Sequence, residues 1–228
     1  MHEQTYLDGT YLDRVPTWHA ADSPWKAQHC KTLLSDLGVQ PTAICDVGCG
    51  AGGVLAALRE TYPVAKLTGF DISPAAIDLA IRSHEGIEFT VGDVVGHYDV
   101  MLVMDVIEHV EDCFGFTRSL REHGDLVLFN IPLELTFVGL LRNVPIAHRN
   151  ELGHIHYFTR QTALALLSDC GFEILATRYI PAVVDLAARD LKTRLMTAAQ
   201  RAGFRVASDL SVLMLGGYAL LVAARPLP

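Results

Sequence analysis

Asp105, Glu108 and His109 stand at i, i+3 and i+4. On a helix that spacing puts two carboxylates and an imidazole on one face. Such a set can take a proton from a nucleophile or hold a divalent cation. A second group, His148, His154 and His156, places three histidines within nine residues. A third group is acidic: Asp46, Asp71 and Asp93 each close a short apolar run, and Gly48, Gly50, Gly52 and Gly53 follow the first. A fourth, Trp18, His19, Trp25 and Lys26, gathers near Ser23-Pro24.

These side chains need elements to position them. Ala43–Val47 reads as a buried strand, the glycines as a turn only glycine makes tightly, and 51–61 as an amphipathic helix. Lys66–Asp71 is the next strand. This strand–loop–helix–strand unit lays a nucleotide across a sheet edge, with helix N–H groups facing the ligand and Asp71 placed for a ribose diol. Gly48, Gly50 and Gly53 satisfy G-x-G-x-x-G, a weak signal alone.

Ser23 and Pro24 open a helix that Gly38 stops, spanning 24–37. Ser73 caps a helix over 74–83. Strands follow at 87–91 and 99–104, joined by a link too short for a crossover helix. A helix over 112–123 leads to a strand at 125–131, a short apolar helix over 133–141 and a polar loop over 143–157. Thr159 caps a helix over 160–170. A strand at 172–180, a helical stretch over 181–201 and a last strand at 217–224 complete the chain. Strands interleaved with helices predict an α/β three-layer sandwich around a mostly parallel sheet. Residues 1–22 form an arm or lid, and 23–228 a single domain with an insertion near 181–215.

The 228 residues are half hydrophobic, enough for one sizeable core. Net charge is −8, and no run of Lys or Arg gives a nucleic-acid footprint. The five cysteines fit no zinc spacing and read as reduced thiols. The first 24 residues are polar and carry no signal-peptide core. No stretch approaches the length of a membrane span. A cytoplasmic protein is expected, binding neither nucleic acid nor membrane.

Asp46 narrows the ligand. A carboxylate beside a pyrophosphate repels it by about 1 kcal/mol at roughly 4 Å in water, and more in a drier cleft. An acid there suits a ligand with a cationic end, such as an amino acid's ammonium. Asp93, after the third strand, can accept from an adenine amine.

The runs Asp46-Val-Gly-Cys-Gly-Ala-Gly, Gly69-Phe-Asp71-Ile-Ser, Gly92-Asp93-Val and Tyr98-Asp-Val-Met-Leu-Val-Met-Asp105-Val-Ile-Glu108-His109-Val resemble the ordered motifs of class I S-adenosylmethionine-dependent methyltransferases. The likeness runs through Gly153-His-Ile-His-Tyr-Phe-Thr-Arg and Gly171-Phe-Glu-Ile, covering roughly 23–180 and the final strand. It implies a Rossmann-like, seven-stranded sheet of order 3-2-1-4-5-7-6 with the last strand antiparallel. It implies S-adenosylmethionine as cofactor. Asp46, Gly48, Cys49, Gly50 and Gly52 would hold the methionine part, Asp71 the ribose, and Ile72, Asp93 and Val94 the adenine. Met104 and Asp105 would border the sulfonium.

The Asp105-x-x-Glu108-His109 spacing also resembles that of ubiquinone-pathway O-methyltransferases and of small-RNA 3′-end 2′-O-methyltransferases. In the latter, the acids, the His and a later His, here His154, bind a metal. Many relatives carry the segment with no known metal, so a metal on Asp105, Glu108, His109 and His154 is not the favoured reading. His109, His154 and Glu108 are the acid–base candidates. Trp18, His19, Trp25, His148 and His156 are the acceptor-side candidates. The N-terminal run resembles methyltransferases of sugar and polysaccharide pathways. The favoured expectation is methyl transfer to a small molecule, most simply to oxygen, by a protein that could pair as a homodimer. The rivals are an RNA-end 2′-O-methyltransferase, an NAD(P)-dependent oxidoreductase, and a non-catalytic binding module of the same fold.

Overall fold

The computed structural model describes residues 22–181 and 203–228. The expected arm at 1–22, with Trp18 and His19, and the expected helix over 181–201 lie almost wholly outside the described residues.

Alternating strands and helices build one sheet. In chain order the elements are α1 (Ser23–Asp36), β1 (Ala43–Val47), α2 (Gly53–Arg59), β2 (Lys66–Asp71), α3 (Pro74–Ser83), β3 (Glu88–Val91), β4 (Tyr98–Met104) and α4 (Cys113–Ser119). Then come β5 (Gly124–Pro132), α5 (Phe137–Leu141), α6 (Val144–Glu151), α7 (Arg160–Asp169), β6 (Phe172–Pro181), α8 (Ser208–Leu215) and β7 (Tyr218–Pro226). The sheet has the order β3-β2-β1-β4-β5-β7-β6, as expected. β1 to β5 run parallel, and β7 lies antiparallel between β5 and β6.

Side-chain alternation splits the core into two layers. Cys45, Met101, Val103, Val127 and Phe129 pack on one face with Ala163, Leu166 and Leu167 of α7. Ile44, Val100, Leu102 and Leu128 pack on the other with Leu33 and Leu34 of α1 and Leu55 and Leu58 of α2. Both faces are covered, so the central strands are mostly apolar, with Asp46, Thr68 and Asn130 among the buried polar exceptions. All five cysteines are buried free thiols. Among the described residues no helix is long and apolar enough to cross a membrane.

Several expectations are corrected. Ser23 is the first helical residue rather than the cap; Asp22 precedes it, without a side-chain cap bond. α2 starts at Gly53, because Gly52 takes a left-handed φ of 77°. The 112–123 helix ends at Ser119 and tightens into a 3-10 turn, Leu120–Glu122. The 133–141 helix begins only at Phe137, capped by Thr136. Ahead of it, Leu133 N–H donates to Tyr218 O and Leu135 N–H to Phe158 O, pairing with neighbouring segments instead of a helix. The 143–157 loop contains a helix, α6, entered through Asn143 at φ 55° with Pro145 in its first turn. Its polar composition hid it.

The chain does not turn helical directly after β4 either. Asp105 adopts a left-handed φ of 58°, and only Ile107–His109 form a 3-10 turn. Asp105 therefore does not share a helical face with Glu108 and His109.

Candidate functional site

The carboxyl ends of β1, β2, β4 and β5 open into one cavity of about 1420 Å³. Asp46, Gly48, Cys49, Gly50, Asp71, Ile72, Asp93, Val94, Met104 and Asp105 all line it. So do Trp25, Glu108, His109, His148 and His154. Of the candidate site residues within the described range, Gly52 and His156 do not line it. Gly52 shapes the loop from behind. His156 Nε2 instead bonds Val110 O at 2.9 Å, so it packs against the preceding turn.

The glycine loop is held on both sides. Gly48 and Cys49 N–H donate to Phe70 O at 2.8 and 3.0 Å. Asp71 Oδ2 accepts from Gly50 N–H at 2.9 Å, and its Oδ1 from Ser73 N–H at 2.8 Å. Gly48 has φ 74°, and a Cβ there would meet Val106 Cγ2 at 2.5 Å. A Cβ on Gly52 would meet the Phe89 ring at the same distance. No larger residue fits either place.

Asp46 is the penultimate residue of β1, lines the cavity and is 1% exposed. Its Oδ1 is buried and has no hydrogen-bond partner. Burial pushes the carboxyl up to about 8; Lys26 opposes this, and Asp71 and Asp105 add to it. Burial thus favours the neutral form, and an approaching cation favours the ionised one. Burial also raises Asp71, against its two N–H donors. Asp93 sits exposed at the rim after β3. It caps no helix, since none lies between β3 and β4.

At the end of β4, Asp105 is clamped. Lys26 Nζ of α1 reaches Asp105 Oδ2 at 2.6 Å, and Asn130 Nδ2 of β5 donates to Oδ1 at 2.6 Å. Burial disfavours the Lys26 charge, but Asp105, Asp22 and Glu108 outweigh it and hold the ammonium above its ordinary value. Glu108 is fully buried, and neither carboxylate oxygen has a partner. Burial, with Asp105 and Glu134 nearby, raises it well above the ordinary range. Its backbone O accepts from Ile155 and His156 N–H at 2.8 and 3.1 Å, which fixes the histidine loop to the 3-10 turn.

The histidines converge on a residue sequence reasoning missed. Glu134, two residues past β5, accepts from His154 Nδ1 at 2.7 Å and from His148 Nδ1 at 2.5 Å, both on Oε1. Burial acts to raise Glu134, but the two imidazoles outweigh it and hold the carboxyl below its usual value. The same hydrogen bond raises His148. His154 Nε2 has no partner among the described residues, nor is it a sealed-in orphan. His154 lines the cavity. His109 Nδ1 pairs with Gly153 O at 3.2 Å, and its ring lies edge-on to His154 at 4.8 Å. The signal for Glu134 was its position at the carboxyl edge of a central strand. Assigning 133–141 to a helix concealed it. In the sequence Lys26 stands only within the N-terminal cluster, and Asn130 only within a strand.

Among the described residues, two sets offer ligand-type atoms within 4.8 Å of one another: Glu108, His109 and His154, and Glu134, His148 and His154. The second set's close contacts are the hydrogen bonds just described. Asp105 belongs to neither, because Lys26 and Asn130 occupy its oxygens.

The sequence model of a family described as "Methyltransferase domain" matches residues 18–177. Norajmaline N-methyltransferase of Rauvolfia serpentina is 30% identical over 133 residues, 53% of this chain and 45% of that protein. A trans-aconitate 2-methyltransferase of Escherichia coli O7:K1 is 29% identical over 150 residues, 58% of this chain and 56% of that protein. The matches thus span about half the length of these relatives. Among solved structures, magnesium protoporphyrin IX methyltransferase from Synechocystis PCC 6803 with bound SAH superposes with a TM-score of 0.60 at 16% identity, over 89% of this chain and 83% of that one. A Haloferax volcanii protein solved in complex with the Trm112 methyltransferase activator gives 0.64 at 17%, over 98% and 96%. At such identities the superpositions establish a shared fold.

Proposed function

Since the chain belongs to the methyltransferase-domain family, we propose that it transfers the methyl group of S-adenosylmethionine to a small-molecule acceptor, most directly to an oxygen. One observation carries the donor reading: a buried carboxyl, Asp46, lies under a glycine cradle with an oxygen that nothing in the described protein satisfies. An ammonium supplies what that oxygen lacks; a pyrophosphate does not.

When bound, S-adenosylmethionine supplies a methyl group made electrophilic by its sulfonium. Asp46 takes the amino-acid ammonium, and the loop from Gly48 to Gly52 leaves room for the backbone of the ligand. Asp71, already fixed by two N–H donors, offers its remaining lone pairs to the ribose hydroxyls. Ile72, Asp93 and Val94 border the adenine. Met104 and the clamped Asp105 border the reacting end. The cavity exceeds the roughly 300–1,000 Å³ of a typical small-ligand pocket. It therefore has space for donor and acceptor side by side, as in-line transfer requires.

The far half of the cavity is lined by Glu108, His109, Glu134, His148 and His154. Of the acid–base candidates, His154 lines the cavity with its Nδ1 held by a carboxylate, which leaves Nε2 to act as the base. Glu108 is walled in, and its raised carboxyl favours a neutral group. The resulting reading is a His154 base for a hydroxyl acceptor.

Calorimetry with S-adenosylhomocysteine and with NAD is the first test. Binding of the former alone is expected; binding of NAD alone refutes the proposal. Radiolabelled methyl transfer to a panel of one phenol, one aliphatic alcohol, one amine and one carboxylic acid then ranks the acceptor chemistry. Fastest turnover of the amine would overturn the oxygen assignment.

A further inference from the structure

Glu134 presents one oxygen to two imidazoles. His154 Nδ1 and His148 Nδ1 both donate to Oε1, their ring centroids are 5.6 Å apart and nearly perpendicular, and the two differ in exposure. His154 is 6% exposed. The His148 side chain is 35% exposed at the cavity wall. A single carboxylate neutralises a single imidazolium. Two imidazolium rings at this distance repel by on the order of a hundredfold in the protonation equilibrium at an effective dielectric of 20.

We propose that Glu134 is a positioning residue that makes the two histidines a charge-exchange pair: His154 takes the acceptor's proton at Nε2 while His148 releases one from its own Nε2 to solvent. The inference rests on the methyltransferase reading of the same cavity.

The atoms balance. Before transfer His154 is neutral with its proton on Nδ1, Glu134 is ionised, and His148 is protonated on both nitrogens. As the acceptor oxygen forms its bond to the methyl carbon, the methyl–sulfur bond breaks and its electron pair stays on sulfur. The oxygen's proton moves to His154 Nε2. His154 is now the imidazolium, Glu134 neutralises it, and His148 loses its Nε2 proton to water. The trio is neutral overall before the transfer and again once His148 has released its proton, so the charge gained by His154 is compensated. Both Nδ1–H bonds to Oε1 persist throughout, so neither ring reorients. After product departs, His154 loses its proton to water and His148 takes one up, so each turnover releases one proton in all.

The other groups facing the trio fit this reading. Glu108 approaches His154 from the 3-10 turn with a carboxyl that burial favours neutral. The His109 ring meets His154 edge-on, its Nδ1 bonded to Gly153 O. Glu151 of α6 adds to the field that keeps His148 protonated. Lys26 lies on the Asp105 side, and its charge is taken up there.

The test has an acceptor-free arm and a turnover arm, both on the full chain saturated with the donor or its product. In the first, nitrogen-15 NMR of labelled histidines with S-adenosylhomocysteine bound is expected to show His154 with its proton on Nδ1 and His148 titrating above an ordinary histidine. His148→Gln should strengthen the remaining His154 Nδ1–H bond to Glu134, read as a downfield shift of that proton, because its competitor for Glu134 is gone. Glu134→Gln should lower the His148 titration and remove the downfield position of the His154 Nδ1 proton, and Glu134→Asp should restore part of each. In the second arm, using whichever panel acceptor turns over fastest, Glu134→Gln should lower kcat by about a hundredfold with KM for S-adenosylmethionine unchanged. His148→Gln should move the acidic limb of the pH–rate profile upward. A native His154 proton on Nε2, or a His154 Nδ1 proton indifferent to His148→Gln, overturns the pairing. Wild-type kcat in Glu134→Gln overturns its part in transfer. Absence of S-adenosylhomocysteine binding would instead strike the methyltransferase reading itself.

Discussion

Asp46 links donor binding to proton release. Its carboxyl, buried and raised to about 8, is about nine-tenths protonated at pH 7. A cationic ammonium beside it favours the ionised form and draws the pKa down, so binding expels the proton. Near pH 7, S-adenosylhomocysteine should release ~0.9 proton per site from this group. Driving that ionisation costs about 1.4 kcal/mol at pH 7, or a factor of about ten in Kd. Affinity should therefore rise by about tenfold per pH unit between 6 and 7 and level off near 8. The sign is fixed by the direction of the shift: the unliganded carboxyl holds its proton up to about 8, and the liganded one gives it up at lower pH. Calorimetry in phosphate and in Tris, whose ionisation enthalpies differ widely, counts the protons from the difference in apparent binding enthalpy. Asp46→Asn should lose the buffer dependence and about 1–3 kcal/mol of affinity, the scale of a charge-assisted hydrogen bond. Identical enthalpies in the two buffers, with Kd flat from pH 6 to 8, would refute the reasoning. Asp46 would then already be ionised, or the ligand's cation would bind elsewhere.

Asp71→Ala should weaken S-adenosylhomocysteine by about 1–3 kcal/mol. It should also lower the unfolding midpoint, since Gly50 and Ser73 N–H lose their acceptor; unchanged affinity by calorimetry removes Asp71 from the ribose. Gly48→Ala forces a Cβ against Val106 at φ 74° and should cost about 1–3 kcal/mol in denaturant unfolding. Glu134 contributes a pH window. Its own lowered carboxyl gives stability that is present above the ordinary 4.5 and lost as pH falls through the lowered value. The raised His148 gives stability present below the ordinary 6.5 and lost as pH climbs through the raised value. The difference in melting temperature between wild type and Glu134→Gln should peak between those limits; a flat difference across pH would show that the pair is not ionic.

The sequence by itself determined the sheet. Two-residue alternation, apolar runs and glycine or proline punctuation are local patterns, and they carried β1 to β7, their order through the resemblance, and the glycine loop with Asp46 and Asp71. They also brought nearly all the expected donor residues to one cavity. Two of the local readings failed where tertiary contacts took over backbone groups. Leu133 and Leu135 bond to Tyr218 and Phe158, which unwinds the expected helix and exposes Glu134 to the cavity. Asp105 was grouped with Glu108 and His109 by spacing alone, yet its left-handed backbone turns it to Lys26 and Asn130. Only the tertiary structure decided which acids meet which bases. Glu134 finds His148 and His154 across a helix and a loop, and Asp46 acquires its raised carboxyl from being sealed beneath the fold. Charge and hydrogen-bond partners are set by distance and dielectric. A chain reveals both only after it has closed on itself.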